Sequence, residues 1–509
     1  MTKLESLIQL IHSMTLSEKR AFRVRTSHKK NTPDYLLLYG IIEQGPHEPY
    51  NSLRKEFLIL RPHVSFETTV KYLLELLLDT MLDLRKNQDS FFILFNKILK
   101  ARILFEKALY DECLEMLRNT IKQAEKFENY YALLIALRLE TEYLLTLNFP
   151  NLNEKELLSK QFKLTETLKN IRKINEQASL YEILKHRVIY KGYARSQKQK
   201  DELNDLIFSE LSIVASLGPE NFEISKLHQL FQSNYLINVG DYKSALRSYY
   251  ELNNLFEANK HLWSSPPIYY LHTLEGVLES LRSIHNYEGM PYFIDQIRKI
   301  SNPSLDFRVH LTCIIFLYEI FPFLDSGNFS SAKSIMESYK EPLYNKMDIL
   351  NRAKQAELSL YTSLIYFGNA NYPKAHKFLS PIIVRGKNYY YLPLYRTIRL
   401  VNLMILYKME DFDLMHSEIR SIKRDLAGME KGYKIERFML RFLVRQIPAF
   451  ANNRESLWAK VDKELEEIRQ DVFEQQILRI FNFTAWIESL IRHQPLSVIM
   501  EQKLGRRNE

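Results

Sequence analysis

A short pattern that recurs along the chain constrains its fold more than any other feature of the sequence. In each copy an aromatic residue is followed three positions later by a small or slim residue and seven positions later by an apolar one. The aromatic residues are Tyr110, Tyr242, Tyr287, Phe329, Tyr372 and Phe412. The residues three and seven positions later are Cys113 and Leu117, Ala245 and Tyr249, Met290 and Ile294, Ala332 and Met336, Ala375 and Leu379, and Met415 and Ile419. Because these two positions lie on one face of an α-helix, each copy predicts the start of a helix that buries the same stripe.

The spacing of the copies indicates a repeat. From Tyr242 onward the aromatics stand 40 to 45 residues apart, and the first interval, 132 residues, equals three times 44. A weaker copy begins at Phe149, and no clear copy falls near residue 198. A period of about 42 residues is typical of stacked helix pairs, in which each unit buries its apolar face only against its neighbours.

The residues just before the aromatics have the chemistry of helix ends. Gly240 and Gly327 suit a left-handed helix-ending position, where glycine avoids the steric penalty that other residues carry. Asp241, Asn328 and Asn371 can cap the next helix by accepting hydrogen bonds from its first free backbone N–H groups. We therefore expect each aromatic to plug a joint between two helices and the small residue to let the paired helix approach closely.

Glycine is scarce, which favours long helices joined by short turns. Only 13 of the 509 residues are glycine, under half of the usual share of roughly 7%. Sheet-rich and α/β enzymes need glycine for tight turns and phosphate loops. Hydrophobic residues (46%) and charged residues (26%) have ordinary shares, which excludes wholesale disorder.

Two stretches resemble the core of a tetratricopeptide repeat (TPR): the run from Asn234 to Leu246 and the run from Leu364 to Ala375. The period is longer than the roughly 34 residues of that family, and neither run contains the family's tryptophan. The resemblance implies an all-α fold, a right-handed α-solenoid of TPR-like helix pairs; HEAT-type arrays are the alternative. We expect the solenoid to occupy residues 91–509 and a small helical N-terminal domain to occupy residues 1–90.

The first ninety residues do not follow the repeat. Thr15 and Glu18 form a capping box that starts a helix. Further helices are predicted at about 35–44, 50–59 and 66–86. The last of these is rich in leucine and its polar stripe is acidic. It is therefore predicted to be a core helix rather than a DNA-recognition helix.

The opening of the chain also carries a resemblance. The stretch from Leu16 to Phe22, together with the leucine-rich helix from Val70 to Leu84, resembles the opening of a family of uncharacterised TPR-containing proteins from Bacteroidetes bacteria. That family has no established activity to carry over.

Three clusters of basic and aromatic residues are candidate contact surfaces for a macromolecular partner, because such clusters can bind phosphate groups or an acidic protein. The first is a basic N-terminal edge formed by Lys19, Arg20, Arg23, Arg25, Lys29 and Lys30. The second is a stretch with Arg187, Lys191 and Arg195, interleaved with Tyr190 and Tyr193. The third is the run from Arg385 to Tyr391, with Arg385, Lys387 and Tyr389 followed by two further tyrosines, Tyr390 and Tyr391. The alternative interpretation is structural: a solvated helix face and loop for the first, and tyrosines that fill helix joints for the other two.

The sequence contains no motif that predicts an active site. No phosphate-binding glycine loop, nucleophile elbow or paired-histidine zinc helix is present. Cys113 and Cys313 are the only cysteines. Each is expected to be a small buried residue in a protein of a reducing compartment. No catalytic, cofactor-binding or metal-binding residue is predicted.

We therefore predict a non-enzymatic scaffold or adaptor that binds a protein or peptide partner on the solenoid surface. The alternative is a nucleic-acid-associated or regulatory factor that uses the basic N-terminal edge. Salt distinguishes the two, since phosphate contacts weaken steeply as salt is added. No small-molecule substrate is evident. No continuous apolar run is long enough to span a membrane, so a cytoplasmic protein without membrane contact is expected.

Overall fold

A computed structural model describes residues 2–27, 33–45, 50–87, 89–215, 221–302, 304–427, 432–444 and 451–508. The chain is 81% helical, and no residue in these ranges lies in a β-strand. The prediction of an all-α fold is confirmed.

The chain divides into two compact units, each described by itself. The first comprises Met1–Arg172, Ser264–Pro266 and Asn302–Arg308, and the second comprises Lys173–Trp263, Pro267–Ser301 and Val309–Glu509. The helices up to residue 191 are α1 (Lys3–Ser13), α2 (Leu16–Thr26), α3 (Asp34–Gln44), α4 (Tyr50–Leu60), α5 (Phe66–Arg85), α6 (Ser90–Glu106), α7 (Tyr110–Lys126), α8 (Tyr130–Thr146) and α9 (Glu154–Lys191). The later helices are α10 (Gln197–Asp201), α11 (Asn204–Ala215), α12 (Phe222–Val239), α13 (Tyr242–Ala258), α14 (Ile268–Ser283), α15 (Met290–Lys299), α16 (Leu305–Ser326), α17 (Phe329–Ser338), α18 (Arg352–Gly368), α19 (Tyr372–Val384), α20 (Leu394–Lys408), α21 (Phe412–Ala427), α22 (Lys434–Phe442), α23 (Ala451–Gln470), α24 (Gln475–Leu478), α25 (Phe483–Arg492) and α26 (Leu496–Asn508). Short 3-10 helices lie at Lys260–Leu262, Tyr344–Ile349 and Gly386–Asn388.

The N-terminal helices of the first unit form as the sequence predicts. Thr15 Oγ1 accepts from the backbone N–H of Glu18 (3.3 Å), and the Glu18 carboxylate accepts from the backbone N–H of Thr15 (2.8 Å). The three further helices predicted in this region are α3, α4 and α5. The apolar stripes of α1 to α5 enclose one core, in which Leu7, Phe22 and Phe57 are fully buried.

A second core of the first unit lies among α6, α7, α8 and the start of α9. Its aromatic contact is a stack of Phe105 on Tyr143, with ring centroids 3.8 Å apart. Both cores belong to the same compact unit, and the domain boundary that we predicted at residue 90 stays a prediction.

The helix starts predicted by the recurring pattern are confirmed at five of its six copies. Helices α7, α13, α17, α19 and α21 begin at Tyr110, Tyr242, Phe329, Tyr372 and Phe412. The exception is Tyr287, because α15 begins three residues later, at Met290.

The predicted chemistry of the joints is confirmed as well. Asp241, Asn328 and Asn371 each accept a hydrogen bond, of 3.1–3.3 Å, from a backbone N–H group in the first turn of the next helix. Gly240 and Gly327 adopt the left-handed conformation, with φ of 82° and 81°. These caps satisfy donors that a helix start leaves free.

The predicted helix face is buried throughout. Every residue three or seven positions after an aromatic of the pattern has at most 6% of its surface exposed. In the second unit the stripe lies between helices that are neighbours in sequence, since α12 packs against α13, α13 against α14, α18 against α19, and α19 against α20.

The expectation that every aromatic plugs its joint is wrong. Tyr242 and Phe329 are buried, whereas Tyr110 and Phe412 are 39% and 46% exposed. The two buried rings lie at joints that are covered by residues 471–504, which we call the C-terminal segment.

The C-terminal segment packs against these joints of the second unit. The guanidinium of Arg479 lies 5.1 Å from the centroid of the Tyr242 ring. A Cβ atom placed on Gly327 would stand only 2.9 Å from the backbone of Ser497. The recurring pattern contains no information about the packing of the C-terminal segment. It therefore predicts most of the helix starts correctly, but it predicts the burial of the aromatic ring correctly only at Tyr242 and Phe329.

The weaker copy of the pattern does not start a helix. Phe149 has a left-handed backbone, with φ of 52°, and the next helix, α9, begins at Glu154. Helix α9 continues for 38 residues, and the short α10 has only five residues. The long helix α9 therefore follows the weaker copy, and the short α10 lies near residue 198, where a further copy was expected.

Helix α16 is the one helix of the described ranges that is long and apolar enough to cross a membrane, with a mean hydropathy of 1.6. Of its most apolar 18-residue stretch, 61% is buried inside the protein. The helix also contains Pro322. A long apolar helix with most of its surface covered by protein fits the core of a soluble protein.

Gly368 and Gly40 are expected to respond to alanine with opposite signs. A Cβ atom on Gly368 would overlap the ring of Phe329, whereas nothing lies within 4 Å of a Cβ atom on Gly40 in α3. Gly368→Ala should therefore lower the free energy of unfolding by about 1–3 kcal/mol through overpacking. Gly40→Ala should raise it by about 0.5–1 kcal/mol, because alanine has the better helix propensity. Urea unfolding followed by circular dichroism measures both, and equal signs would contradict this packing.

Candidate partner-binding cavity

Two of the three predicted surfaces meet at one cavity of the second unit, with a volume of about 470 Å³. One wall is the end of α9 with the loop after it, and another is α20 with the residues before it. The third wall is the end of α21 together with the start of α22. The aromatic and charged residues that line it are Tyr190, Lys191, Tyr193, Arg195, Tyr390, Tyr391, Tyr395, Arg396, Arg399, Arg424, Asp425, Tyr433 and Glu436. We call it the tyrosine–arginine cavity.

The loop after α9 is held by buried amides. The backbone N–H of Ala194 donates to Asn238 Oδ1 (3.0 Å), and the Ala194 carbonyl accepts from Gln476 Nε2 (3.2 Å). Asn238 and Gln476 are both buried, and Gln476 Nε2 also donates to the Asn238 carbonyl (2.8 Å). Because these bonds fix the backbone at Ala194, its neighbours Tyr193 and Arg195 have defined positions in the cavity wall.

Two carboxylates fix the start of α22, which forms another wall. The backbone N–H of Tyr433 donates to Glu436 Oε2 (2.8 Å). The backbone N–H groups of Lys434 and Ile435 donate to the two oxygens of Glu474, at 2.6 and 3.1 Å. The C-terminal segment, which contains Glu474, thus supports the cavity at α22 as well as at the loop after α9.

The arginines of α20 are paired with carboxylates. Arg396 donates from Nε to Glu436 Oε1 (2.7 Å) and from Nη2 to Oε2, and Arg399 donates from Nε to Glu418 (2.6 Å) and from Nη1 to Asp425. Burial lowers the pKa of Arg399, but its hydrogen bonds and attraction to Glu418 and Asp425 outweigh burial and raise that pKa overall. Burial raises the pKa of Glu436, against the attraction of Arg396. The forked pair of Arg396 with Glu436, and the two separate carboxylates bound by Arg399, hold both guanidinium groups in fixed planes.

Two guanidinium groups flank the ring of Tyr433. The guanidinium carbons of Arg195 and Arg396 each lie 5.8 Å from the centroid of that ring. Burial raises the pKa of Tyr433 well above its usual value, so its phenol is neutral at physiological pH and its ring can attract both cations. Arg195 also donates from Nη2 to the carbonyl of Lys191 (3.1 Å). Within the described ranges it has no carboxylate at ion-pair distance.

Exposed tyrosines belong to the same cavity. Tyr190, Tyr390 and Tyr391 are 66%, 59% and 38% exposed, whereas Tyr389 is buried. Our choice of Tyr389 as a contact residue is therefore corrected in favour of the two tyrosines that follow it. The physical reason is the short 3-10 turn before it: the backbone N–H of Tyr389 donates to the carbonyl of Gly386 (2.8 Å), and the side chain packs inward.

The other two predicted residues of this run lie outside the cavity lining. Arg385 and Lys387 are exposed, on the turn that precedes the tyrosines. Among the described residues, neither side chain forms an ion pair with a carboxylate. Their predicted role as contact residues stays a prediction.

The second basic stretch is largely neutralised by carboxylates. Arg187 makes a two-pronged pair with Asp205 (2.7 and 2.6 Å), and the hydrogen bond to Asp205 raises the pKa of Arg187. Lys191 lies 3.8 Å from Glu202. Arg195 is therefore the residue of this stretch that can form an ion pair with a negatively charged group of a partner.

The N-terminal basic edge is also partly paired. Lys19 and Arg23 each lie 3.1 Å from Glu43, and Arg25 lies 2.8 Å from Asp83. The side chain of Lys19 is only 25% exposed. Charge counting along the sequence missed these pairs because the acidic partners come from α3 and α5.

The remaining basic residues of that edge fall into two groups. Arg20 is exposed on α2. Lys29 and Lys30 lie outside the described residues, and their predicted role stays a prediction.

The cysteines are core residues, as predicted. Cys113 and Cys313 are fully buried. Burial raises the pKa of Cys113 and raises that of Cys313 to about 12, so both thiols are protonated and poorly nucleophilic. In the part of the chain that the structure describes, no three His, Cys, Asp or Glu side chains are grouped so that they could hold a metal ion.

No protein-family model matches the chain, and no curated protein is significantly similar to it in sequence. The resemblance to tetratricopeptide repeats therefore stays a prediction.

Sequence reasoning missed Arg396, Tyr433 and Glu436. One signal for the first was present: Arg396 and Arg399 are charged residues one turn apart in α20, a helix that is otherwise mostly apolar. Charged side chains in such a helix are either exposed or paired with a carboxylate. Tyr433 and Glu436 carried no comparable signal, since their role depends on helices that are distant in sequence.

Proposed function

We propose that this protein is a non-enzymatic scaffold that holds an acidic segment of a partner protein in the tyrosine–arginine cavity. The proposal includes a right-handed α-solenoid of TPR-like helix pairs with a period of about 42 residues. It also includes a cytoplasmic location, in keeping with two free, buried cysteines.

One observation carries the proposal: two surfaces that are about 200 residues apart in sequence line the same cavity. They bring together exposed tyrosines and arginines, the residue types that contribute most to protein–protein affinity. Tyrosine offers a large, rigid contact area and a polar group, at a low cost in side-chain entropy. A cavity of this composition suits recognition of a protein segment better than chemistry on a substrate.

The charge of the cavity favours an acidic partner. Five cationic side chains and two carboxylates line it. Both carboxylates, Asp425 and Glu436, already pair with arginines of α20. The remaining field is positive, and a negatively charged segment would complement it.

A protein partner is favoured over nucleic acid by the state of the other basic residues. A nucleic-acid strand is bound through a row of unpaired cations that follows its phosphates. Here Arg187, Lys19, Arg23 and Arg25 are each engaged by an internal carboxylate. Among the four cations of the basic edge that the structure describes, three are thus paired with a carboxylate.

The double variant Tyr190→Ala/Tyr390→Ala tests the proposal. Fluorescence anisotropy with a labelled glutamate-rich peptide should show binding that is at least about tenfold weaker than in the wild type, because both side chains contribute contact area. Tyr292→Ala is the matched control, since Tyr292 is 62% exposed and lies outside the cavity lining; its affinity should be unchanged. Tighter binding of a poly-thymidine oligonucleotide, weakening steeply with salt, would favour the nucleic-acid function instead.

A further inference from the structure

Two guanidinium nitrogens of residues that line the cavity have no hydrogen-bond acceptor within the described structure. They are Arg195 Nε and Arg396 Nη1, and both nitrogen atoms are buried. Buried donors are almost always satisfied in proteins, and charged donors most strongly require it. Both side chains line the tyrosine–arginine cavity, so a ligand bound there could supply acceptors that the described structure lacks.

We infer that the tyrosine–arginine cavity binds an anionic oxygen group, a carboxylate or a phosphate, that accepts from Arg195 Nε, with Arg396 Nη1 as a further donor. This inference rests on the proposed function and names the chemical group of the partner that the cavity recognises.

The two arginines are suited to different parts of this task. Arg396 uses Nε and Nη2 for its pair with Glu436, so Nη1 is the donor that remains. Glu436 thereby fixes the plane of Arg396 and the direction of that donor. Arg195 has no carboxylate of its own within the described ranges, so an anion would supply its counter-charge as well as an acceptor.

The position of Arg195 is set before any ligand arrives. Its neighbour Ala194 is held by Asn238 and Gln476 at 3.0 and 3.2 Å, and its own backbone N–H donates to Gln199 Oε1 (2.8 Å). A donor on a fixed backbone loses little conformational entropy on binding. A preorganised anion site is the consequence.

Arginine side-chain NMR on the full chain tests this inference. With the arginines labelled with nitrogen-15, the Nε–H signal of Arg195 is assigned by its loss in Arg195→Lys. The probes are inorganic phosphate and N-acetyl-aspartate amide, each added at constant ionic strength. We expect a saturable shift of the Arg195 signal and no shift for Arg385, an exposed arginine outside the cavity lining. A response to phosphate alone assigns a phosphate group, a response to the aspartate derivative alone assigns a carboxylate, and no response to either overturns the inference.

Two variants test the same inference by affinity and not by NMR shifts. Arg195→Gln should weaken binding of the responding anion at least about tenfold, because it removes the charge and the Nε donor, while Arg385→Gln should leave it unchanged. Circular dichroism confirms that both variants are folded. If neither anion binds but the Tyr190/Tyr390 double variant still loses the glutamate-rich peptide, the anion site is wrong and the scaffold function stands. If an anion binds and the tyrosine variant keeps its affinity for the peptide, the anion site stands and the scaffold function is wrong.

Discussion

Replacing Arg282 with methionine is expected to lower the free energy of unfolding by about 3–5 kcal/mol, because it removes a buried cation from its hydrogen-bonded network and leaves the partly buried carboxylate of Asp325 without its counter-charge. The Arg282 guanidinium is buried and binds both oxygens of Asp325, at 2.9 and 3.0 Å. It also donates to the hydroxyl of Tyr361 (2.9 Å) and to the carbonyl of Arg479 (3.1 Å), and it lies 3.5 Å from the centroid of the Phe321 ring. One side chain thus joins α14, α16 and α18 to the C-terminal segment.

The matched control for that variant is Arg298→Met. Arg298 also has two acidic partners, Asp295 and Glu319, but its side chain is 49% exposed. Water and salt screen such pairs, so the loss should be below about 1 kcal/mol. Urea unfolding of both variants gives the comparison. Similar losses at Arg298 and Arg282 would show that the buried network does not stabilise this unit as described.

Replacing Tyr242 with alanine is expected to cost about 3–5 kcal/mol, the usual range for emptying a buried aromatic site. Tyr242 is the first residue of α13 and is buried beneath Arg479. Ala245, three residues on, is fully buried, and Ala245→Leu should cost about 1–3 kcal/mol by overpacking. Lys243 between them is exposed, so Lys243→Ala should change stability by less than about 0.5 kcal/mol.

Hydrogen exchange locates the damage caused by Tyr242→Ala. We expect faster exchange in α12 to α14, which pack in sequence on one another, and in the C-terminal segment, whose Arg479 lies over the ring. The first unit should exchange at the wild-type rate. Equal sensitivity of stability to Lys243→Ala and Tyr242→Ala would mean that the helix faces are assigned wrongly.

The helices and their joints were predictable because their causes are local. A cap such as Asp241, the left-handed Gly240 and the buried Ala245 all act within a few residues of a helix start. The same locality explains why two rings of the pattern are exposed. Tyr110 and Phe412 have the sequence of a joint plug, but whether a ring is covered depends on a segment far along the chain.

The cavity was predictable only in part, and for the same reason. Its basic and aromatic residues stood out in sequence, and two of the three clusters lie on it. Their internal partners did not stand out: the contact of Gln476 with Ala194 spans 282 residues. Tyr389 was predicted to be a contact residue, yet a single 3-10 turn decides which of three adjacent tyrosines are exposed to solvent.

Site-specific photo-crosslinking tests the central claim, that a partner protein occupies the tyrosine–arginine cavity. Benzoylphenylalanine is introduced at Tyr390, which is 59% exposed in the cavity lining, or at Tyr292, which is 62% exposed outside it. After irradiation in nuclease-treated extract of the native cell, we expect a protein adduct at position 390 and none at position 292, and the crosslinked peptide should be rich in Asp and Glu. An adduct of nucleic acid at position 390, or equal protein adducts at both positions, would contradict the claim.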